Sequence, residues 1–430
     1  MAGTILNSAN IKKAYRYCKK NGVLSAFYAC MERMSQSRQS YIRREISEQE
    51  LEAQRNAVWE KSEKVSILVP AYETDIVHFR EMVDSVLAQT YPHFELIIAD
   101  ASPSDKLEKE IQYYKDDRIC YIRLTENKGI SENTNAALEA ASGSYIALLD
   151  HDDTLEPDAL YRMMNAALEE KKRRGEMPWM LYSDEDKGNG DMSEFYEPHY
   201  KMDFNLDLLL SNNYICHFLV MKAELIKKLR FRREYDGAQD HDLVLRAAGE
   251  LLNDTGRIVH VPHILYHWRC HTGSTAENPQ SKMYAYEAGR SAVKDFCEQQ
   301  GWNVKVEHTQ HLGFFRVEYT GNMLAQRSDV AAVGGRLISG GRIVAGAYDE
   351  NGRVLYQGLN RHFSGYMHRA VLQQDAAAVD VRKMMVRKEL QPVLDEIKKQ
   401  ETDPCKISLR FGKEAALLGY RIVWDPFMEQ

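Results

Sequence analysis

The chain lacks any CxxC pair, and its cysteines are few and dispersed. This odd, scattered set argues against a disulfide framework or a structural zinc site and is typical of a reducing cytoplasm. No stretch of about 18 apolar residues occurs, so no membrane span is predicted. The N-terminus lacks the apolar block and cleavage site of a signal peptide. We therefore expect a cytoplasmic protein. The seven cysteines are Cys18, Cys30, Cys120, Cys216, Cys270, Cys297 and Cys405.

Two phosphate-binding motifs are also missing. The sequence contains neither a GxGxxG turn nor a GxxxxGK[ST] loop, which disfavours a dinucleotide-binding fold and a P-loop kinase. The formal net charge is −7, so a nucleic-acid partner is not expected. Apolar residues make up 44% and charged residues 28% of the 430 residues, as in ordinary globular proteins. This length predicts two or three domains.

From residue 65 onward, β-rich runs alternate with helical patterns. The runs cover residues 65–69, 94–99, 119–124 and 145–149. Repeated alternation at this spacing predicts a parallel sheet with right-handed crossovers. Ligands bind such sheets at the carboxyl ends of the strands, so the polar residues that follow these runs are expected to share one crevice.

The most informative of these polar residues form the acidic run after residue 149. Asp150, His151, Asp152 and Asp153 bring three carboxylates together. Crowded carboxylates repel one another unless a cation lies among them. One of the three, Asp153, is a candidate cap for the helix that begins near Pro157. Alternation along the strand end points His151 away from the site. The run therefore predicts a metal-dependent site for a phosphorylated ligand.

A series of short motifs occurs in a fixed order along the same region. Each motif alone is weak, but the ordered set is specific, and it resembles family 2 inverting glycosyltransferases, nearest to the branch that builds rhamnose-rich and other bacterial surface polysaccharides. The resemblance covers roughly residues 65–320. The motifs are VSILVPAY at 65–72, DSVLAQTY at 84–91, ELIIAD at 95–100, NKG at 127–129 with Asn133 and Asn135, LDHDD at 149–153, YSDEDK at 182–187, QDHD at 239–242 and YHWR at 266–269.

The resemblance implies a fold and an architecture. The fold is α/β of the GT-A type, a Rossmann-like nucleotide-diphospho-sugar transferase fold with a mostly parallel sheet flanked by helices. We expect an N-terminal helical region at 1–62, the GT-A catalytic domain at 63–320, and a small α+β module at 321–430. The module looks like a degenerate, partial second glycosyltransferase domain, because residues 331–337 and 419–423 resemble an acceptor half without a nucleotide half. It is expected to serve acceptor binding, stability or homo-oligomer formation.

The family's chemistry implies a metal at the acidic run. Asp152 is the expected main ligand of Mn²⁺ or Mg²⁺, with Asp150 near the ribose and the metal. His267 resembles the family's distal metal ligand, although a buried core histidine between Tyr266 and Trp268 is the alternative. Carboxylates with phosphate oxygens suit either cation, and one imidazole favours Mn²⁺.

Asp240 is the candidate general base of the transfer reaction. It precedes an apolar helical stretch, and a helix N-terminus favours the ionised form of a carboxylate. A base of modest strength suffices if deprotonation accompanies attack. The alternative is that Asp240 only caps the helix. The family usually carries an acid where this chain has Gln239, although Gln239 also occurs in the branch that the chain resembles.

The remaining family positions imply contacts with the donor. Asp100 would accept a hydrogen bond from the imide N–H of the nucleobase, which leaves UDP and dTDP open. Arg269 would clamp the diphosphate from a loop after the metal histidine. A solvated acidic turn is the alternative for Asp184 and Asp186, which would flank the donor sugar or the acceptor. The expected donor-binding residues are Pro70, Tyr72, Glu73, Asp100, Asn127, Gly129, Asp150, Arg269 and Ser274.

The predicted reaction moves a sugar from a UDP- or dTDP-sugar to a glycan or lipid-linked glycan acceptor, in cell-surface polysaccharide or lipopolysaccharide synthesis. Basic residues around an apolar side in 11–27 leave two alternatives for the N-terminal helix: peripheral contact with the inner face of the plasma membrane, or packing on the protein. A non-catalytic nucleotide- or glycan-binding scaffold is the competing function. A nucleotidyltransferase is disfavoured because residues 69–72 are not a Gly-rich phosphate loop.

Overall fold

The computed structural model describes residues 15, 17–19, 21–35, 41–59, 62–270 and 283–428. The chain divides into two compact units. The first unit comprises residues 41–205 and 213–300, and the second comprises residues 1–40, 206–212 and 301–430. The predicted boundaries at 62 and 320 differ from this division, because the hairpin of residues 304–319 groups with the second unit and residues 41–62 group with the first.

The helices of the first unit alternate with strands, as the sequence pattern predicts. Buried apolar residues at helical spacing, such as Phe79, Met82, Val83 and Val86, place one face of each long helix against the sheet. In chain order, with helices of both units numbered together, the helices up to residue 299 are α1 Val23–Ser35, α2 Glu48–Arg55, α3 Ile76–Leu87, α4 Lys106–Ile111, α5 Ile130–Ala140, α6 Ala159–Arg174, α7 Leu206–Ser211, α8 Ala223–Leu229, α9 Gln239–Leu251 and α10 Met283–Gln299.

The first unit contains a nine-stranded sheet with the order β3-β2-β1-β4-β8-β6-β9-β5, and β7 pairs with β6. β1 to β4 run parallel to one another, whereas β8 is antiparallel to β4 and β6. The α/β class is confirmed, and the antiparallel pairs make the sheet mixed. The strands are β1 Val65–Ala71, β2 Phe94–Asp100, β3 Ile119–Arg123, β4 Tyr145–Leu148, β5 Thr154–Leu155, β6 Met180–Gly188, β7 Phe195–His199, β8 Leu219–Lys222 and β9 Ile258–Arg269.

The second unit is built on a four-stranded sheet with the order β16-β19-β12-β18. Its two segments that resemble an acceptor half, β12 and β19, are parallel neighbours. Its strands are β10 Val304–His308, β11 Phe315–Tyr319, β12 Val330–Gly334, β13 Leu337–Ser339, β14 Arg342–Ala345, β15 Ala347–Tyr348, β16 Gln374–Asp375, β17 Ala378–Val379, β18 Met384–Val386 and β19 Arg421–Trp424; its further helices are α11 Met323–Gln326, α12 Gln391–Gln400 and α13 Pro404–Leu417.

Helix α1 packs within the second unit through one face. Glu32 is buried and accepts hydrogen bonds from the backbone N–H groups of Ser364, at 2.9 Å, and Gly365, at 2.6 Å. The Tyr28 ring stacks on His362 with 4.2 Å between centroids. Packing on the protein, one of the two predicted alternatives, therefore describes this face. No helix in the described part of the chain is long and apolar enough to span a bilayer.

Candidate active site

The acidic run that follows β4 divides by burial. Asp153 is buried and accepts hydrogen bonds from the Tyr266 hydroxyl, at 2.5 Å, and from the backbone N–H of Arg269, at 2.7 Å. The Asp150 and Asp152 side chains remain 49% and 24% exposed. Asp153 thus fixes the acidic run to β9 rather than capping a helix, and Asp150 and Asp152 are the carboxylates that a ligand can reach.

Negative charge is concentrated at this strand end. Desolvation raises the pKa of Asp150, and the charges of Asp152 and Asp240 add to the increase, while His217 opposes it. Burial and the charges of Asp152 and Asp150 raise the pKa of Asp153. A cation among these groups would relieve the repulsion. The described residues contain no group of three or more metal-ligating side chains. Asp150 and Asp152 therefore fit a hard divalent cation that takes most of its ligands from phosphate and water.

His267 does not fit the predicted role of distal metal ligand. It is buried, with Nδ1 2.6 Å from Asp186 Oδ1 and Nε2 3.1 Å from Glu156 Oε1. Burial lowers the pKa of His267, but the hydrogen bonds to Asp186 and Glu156 outweigh this effect and raise it. Both ring nitrogens thus lie beside carboxylates of the protein. The register explains the difference, because β9 pairs with β6 so that His267 lies beside Asp186.

Arg269 was predicted to clamp a diphosphate, and in the described structure its side chain contacts other groups of the protein. Its guanidinium is buried. Nε donates to the Asp152 carbonyl at 2.5 Å, Nη1 donates to the Gly190 carbonyl at 2.8 Å, and Nη2 lies 2.7 Å from Glu81 Oε2. These contacts position the backbone of the acidic run. Ser274, which was predicted to line the same loop, lies outside the described residues.

Asp184 and Asp186 were predicted to flank a sugar, yet both are buried with partners of their own. Asp184 accepts from the backbone N–H of Lys201 at 2.8 Å and pairs with His260 Nε2 at 2.8 Å. Asp186 accepts from the Tyr41 hydroxyl at 2.7 Å. Alternation along β6 places both on one face and leaves Glu185 on the other. The sequence prediction therefore selected the wrong face of this strand.

A chain of side chains that sequence reasoning missed connects Glu185 to the acidic run. His217 Nδ1 lies 3.0 Å from Glu185 Oε2, while its Nε2 lies 3.3 Å from Cys216 Sγ and 3.9 Å from Asp150 Oδ2. The His217 ring stacks on Tyr266 at 4.5 Å and 10°. In the sequence, the alternation of side chains between the two faces of β6 was the one pattern that could have indicated Glu185. His217 and Cys216 lie in a loop whose position depends on the tertiary fold.

Asp240 lies in the first turn of α9 and is half-buried. Its Oδ2 accepts hydrogen bonds from Asn213 Nδ2 at 2.7 Å and from the Cys216 thiol at 3.2 Å. Gln239 accepts from the backbone N–H of Gly237 at 2.8 Å, so it orders the turn before the helix. The structure thus joins Asp240 to Asp150 through Cys216 and His217.

The predicted nucleotide loop follows β1. Tyr72 and Glu73 are exposed, and Pro70 is partly buried. Asp100 is fully buried and accepts from the backbone N–H of Ser102 at 2.8 Å and the Tyr121 hydroxyl at 2.6 Å. It therefore orders the turn that follows β2, and its contact with a nucleobase stays a prediction.

Asn127 and Gly129 build a turn at the start of α5. Asn127 Oδ1 accepts from the Gly129 N–H at 3.0 Å and from Asn133 Nδ2 at 2.9 Å. Gly129 has φ of +97°, and a Cβ there would lie 2.3 Å from Asp236 Oδ2. Asp236 thus makes a close approach that requires glycine here, and the contact of Asn127 and Gly129 with a nucleotide stays a prediction.

Residues 66–230 match the family model described as glycosyl transferase family 2. This match agrees with the ordered motifs and with the α/β sheet that carries them. This part of the chain is therefore similar to family 2 glycosyltransferases. The matched region includes the acidic run and the Glu185–His217 pair, whereas Asp240 and His267 follow it.

The chain is also similar to curated bacterial proteins. It is 37% identical over 235 residues to the uncharacterized protein y4gI of Sinorhizobium fredii, covering 54% of this chain and 25% of that protein. It is 30% identical over 259 residues to the O-antigen biosynthesis protein RfbC of Myxococcus xanthus, covering 59% of this chain and 20% of that protein. The chain thus spans a quarter or less of the length of these two relatives.

A shorter match is to the putative teichuronic acid biosynthesis glycosyltransferase TuaG of Bacillus subtilis, at 37% identity over 107 residues, covering 24% of this chain and 42% of that protein. Among solved structures, S. aureus TarS 1–349 in complex with UDP matches with a TM-score of 0.41 and 20% identity, covering 54% of this chain and 65% of that chain.

Proposed function

We propose that this protein is an inverting glycosyltransferase that moves a sugar from a nucleoside diphosphate to a glycan or lipid-linked glycan in bacterial surface-polysaccharide synthesis. The observation that carries the proposal is the connection of Asp150 at the end of β4 to Asp240 at the start of α9, within a unit that contains the region similar to family 2 glycosyltransferases. The names of RfbC and TuaG refer to O-antigen and teichuronic acid biosynthesis, which supports this acceptor class.

Asp240 is the proposed general base. Asn213 and Cys216 both donate to its Oδ2, so we place the acceptor hydroxyl at Oδ1. These two bonds hold the carboxylate in one orientation. The acceptor oxygen attacks the anomeric carbon as the bond to the diphosphate breaks, and its proton passes to Asp240.

Asp152 and Asp150 would hold a Mn²⁺ or Mg²⁺ ion together with the diphosphate oxygens of the donor. When bound, such an ion acts as a Lewis acid that stabilises the leaving diphosphate. Tyr72, Glu73 and Pro70 are the proposed contacts of the nucleoside, because their loop stands at the adjacent strand end. UDP and dTDP remain alternative nucleotides.

The donor reaction tests this function directly. Hydrolysis of UDP- and dTDP-sugars is measured with and without Mn²⁺, for the native protein and for Asp152→Asn. We expect slow, Mn²⁺-dependent hydrolysis that the variant loses, since one of the two reachable carboxylates is neutralised. Asp117→Asn, at an exposed site, is the matched control. Full hydrolysis by Asp152→Asn contradicts the mechanism, and binding without any turnover favours the scaffold alternative.

We further propose that His217 is a positioning residue for the acceptor side of the site. It links Glu185 to Cys216, whose thiol bonds Asp240. We expect His217→Asn to lower kcat about tenfold to a hundredfold with little change in the donor KM, because the base loses its orientation. His199 contacts the same Glu185 at 3.2 Å, so His199→Asn is the control. Equal kcat losses in both variants would indicate a structural effect alone.

A peripheral membrane contact is proposed for the outer face of α1. Val23, Phe27, Met31 and Met34 are 77%, 56%, 46% and 74% exposed and lie at helical spacing on one side. Such a stripe is typical of a helix that lies in a membrane interface. Flotation with anionic vesicles is expected to fall about tenfold for the double variant Phe27→Glu, Met31→Glu, because two apolar side chains leave the lipid. Tyr113→Glu, also at an exposed site, should float normally; equal flotation of both variants contradicts the contact.

A further inference from the structure

The second unit contains a cavity of about 440 Å³ that the catalytic proposal does not use. The inner face of α1 forms one wall through Ser25, Tyr28, Ala29 and Glu32. The hairpin of β10 and β11 and residues 361–364 form the other wall. The volume is within the range of sites that hold one or two sugar-sized molecules.

Cationic and aromatic groups dominate the lining. The guanidinium of Arg316 lies over the Phe427 ring at 4.6 Å, and Arg361 is exposed at the rim. His362 presents a planar ring that Tyr28 holds by stacking. His308 and His311 line the same space from the hairpin. Planar rings beside guanidinium groups suit a ligand that combines a flat or pyranose body with a negative charge.

The two acidic residues of the lining form hydrogen bonds or an ion pair with other groups of the protein. Glu32 accepts from Ser364 N–H and Gly365 N–H, and also from the Ser364 hydroxyl at 3.1 Å. Glu307 Oε1 is paired with Lys305 Nζ at 2.6 Å. Arg316 and Arg361 are the two guanidinium groups of the lining, and Arg316 Nη2 also lies 3.9 Å from Glu318 Oε1.

We propose that the cavity binds a sugar unit that carries a carboxylate or a phosphate group. Arg316 and Arg361 recognise the anion through charge-assisted hydrogen bonds, and the Tyr28–His362 pair supports the sugar ring. The site does not depend on the proposed transfer reaction, although an acidic glycan acceptor would be one source of such a unit.

Nuclear magnetic resonance of the imidazole C–H groups in the full chain tests the site. The probes are glucuronate, glucose 6-phosphate, inorganic phosphate and uncharged glucose, and His362→Gln assigns the His362 signal. We expect glucuronate or glucose 6-phosphate to shift the cavity signals, and glucose not to shift them. Comparison of the two acids separates a carboxylate from a phosphate ligand, and equal affinity for inorganic phosphate would overturn the role of the sugar ring.

The double variant Arg316→Gln, Arg361→Gln should weaken binding of the acidic sugar at least about tenfold, because two charge-assisted hydrogen bonds are lost. Arg353→Gln, at an exposed site outside the lining, should bind like the native protein. Unchanged binding by the double variant, equal binding of glucose, or no binding by either acid overturns the proposal. Donor hydrolysis is measured separately, so failure here is distinguishable from failure of the proposed function.

Discussion

We expect Asp240→Asn to lose sugar transfer almost completely, with kcat about 10²–10⁴-fold below that of the native protein. An amide at this position cannot take the proton of the acceptor hydroxyl. The substitution changes charge without changing shape, and the Asn213 amide and the Cys216 thiol can donate to the carboxamide oxygen as they donate to Oδ2. The loss should therefore come from chemistry and not from unfolding.

The measurement compares transfer with donor hydrolysis in the same preparation. Donor hydrolysis uses water as the acceptor. The mechanism therefore predicts that Asp240→Asn lowers the rate of donor hydrolysis as well as the rate of transfer. Thermal stabilisation by UDP- or dTDP-sugar should remain, because ligand binding raises the melting temperature independently of turnover. Native-like transfer by Asp240→Asn, with Asp117→Asn as the reference, excludes Asp240 as the base. Loss of donor binding would instead assign it to the donor site.

The largest expected effect on stability concerns a buried ion network in the second unit. Arg327 is fully buried, with Nη1 and Nη2 each 3.0 Å from an Asp207 oxygen. Its Nε and Nη2 each lie 2.9 Å from Asp329 oxygens, and its guanidinium lies 4.2 Å over the Trp302 ring. One planar guanidinium group supplies all of these donors, and the ammonium group of a lysine could not replace it.

Arg327→Met should lower the free energy of unfolding by about 3–5 kcal/mol, because Asp207 and Asp329 lose a buried counterion and keep Arg421, which pairs with Asp329 and lies 3.7 Å from Asp207. Burial alone would raise the pKa of Asp207, but Arg327 lowers it below the ordinary value. The stabilisation from Asp207 is therefore complete above the pKa of an unfolded aspartate and is lost as the pH falls through its lower folded value. In Arg327→Met, the free energy of unfolding should therefore fall less steeply at acidic pH than in the native protein.

Urea unfolding at several pH values measures both effects. Adding Asp207→Asn to Arg327→Met should recover part of the loss, since one uncompensated charge is removed. Arg410→Gln, at an exposed residue that bonds Gln400, should leave the transition unchanged. An unfolding midpoint of Arg327→Met equal to that of the native protein would show that the network contributes nothing to stability.

Local sequence patterns predict much of the first unit. Apolar runs at strand length give β1, β2 and β4, and helical spacing gives α3 and α10, because both signals depend on neighbours in sequence. The order of short motifs indicates the similarity to the family. The acidic run also needs no tertiary information, since three aspartates among four consecutive residues at a strand end already indicate a charged ligand site.

The pairing of side chains across strands was not predictable in this way. Histidine is a common metal ligand, and arginine commonly binds phosphate. The register of β9 against β6, however, buries His267 and Arg269 among partners within the protein. Within residues 376–400, α12 is the only α-helix, because β17 and β18 pair with strands far away in the sequence. Such pairings depend on contacts far apart in sequence.

The segment 206–212, which contains α7, has a consequence for synthesis of the chain. It belongs to the second unit, although residues on both sides belong to the first. Asp207 pairs with Arg327, and the Ser211 hydroxyl donates to the Gln373 carbonyl at 3.0 Å. Both partners are synthesised more than 100 residues later in the chain. Domains fold as the ribosome releases them from the N-terminus. All residues of the first unit have therefore been synthesised before the partners of residues 206–212 are available. We expect this leucine-rich segment to be prone to misassembly until the last strand of the second unit, β19, has emerged from the ribosome.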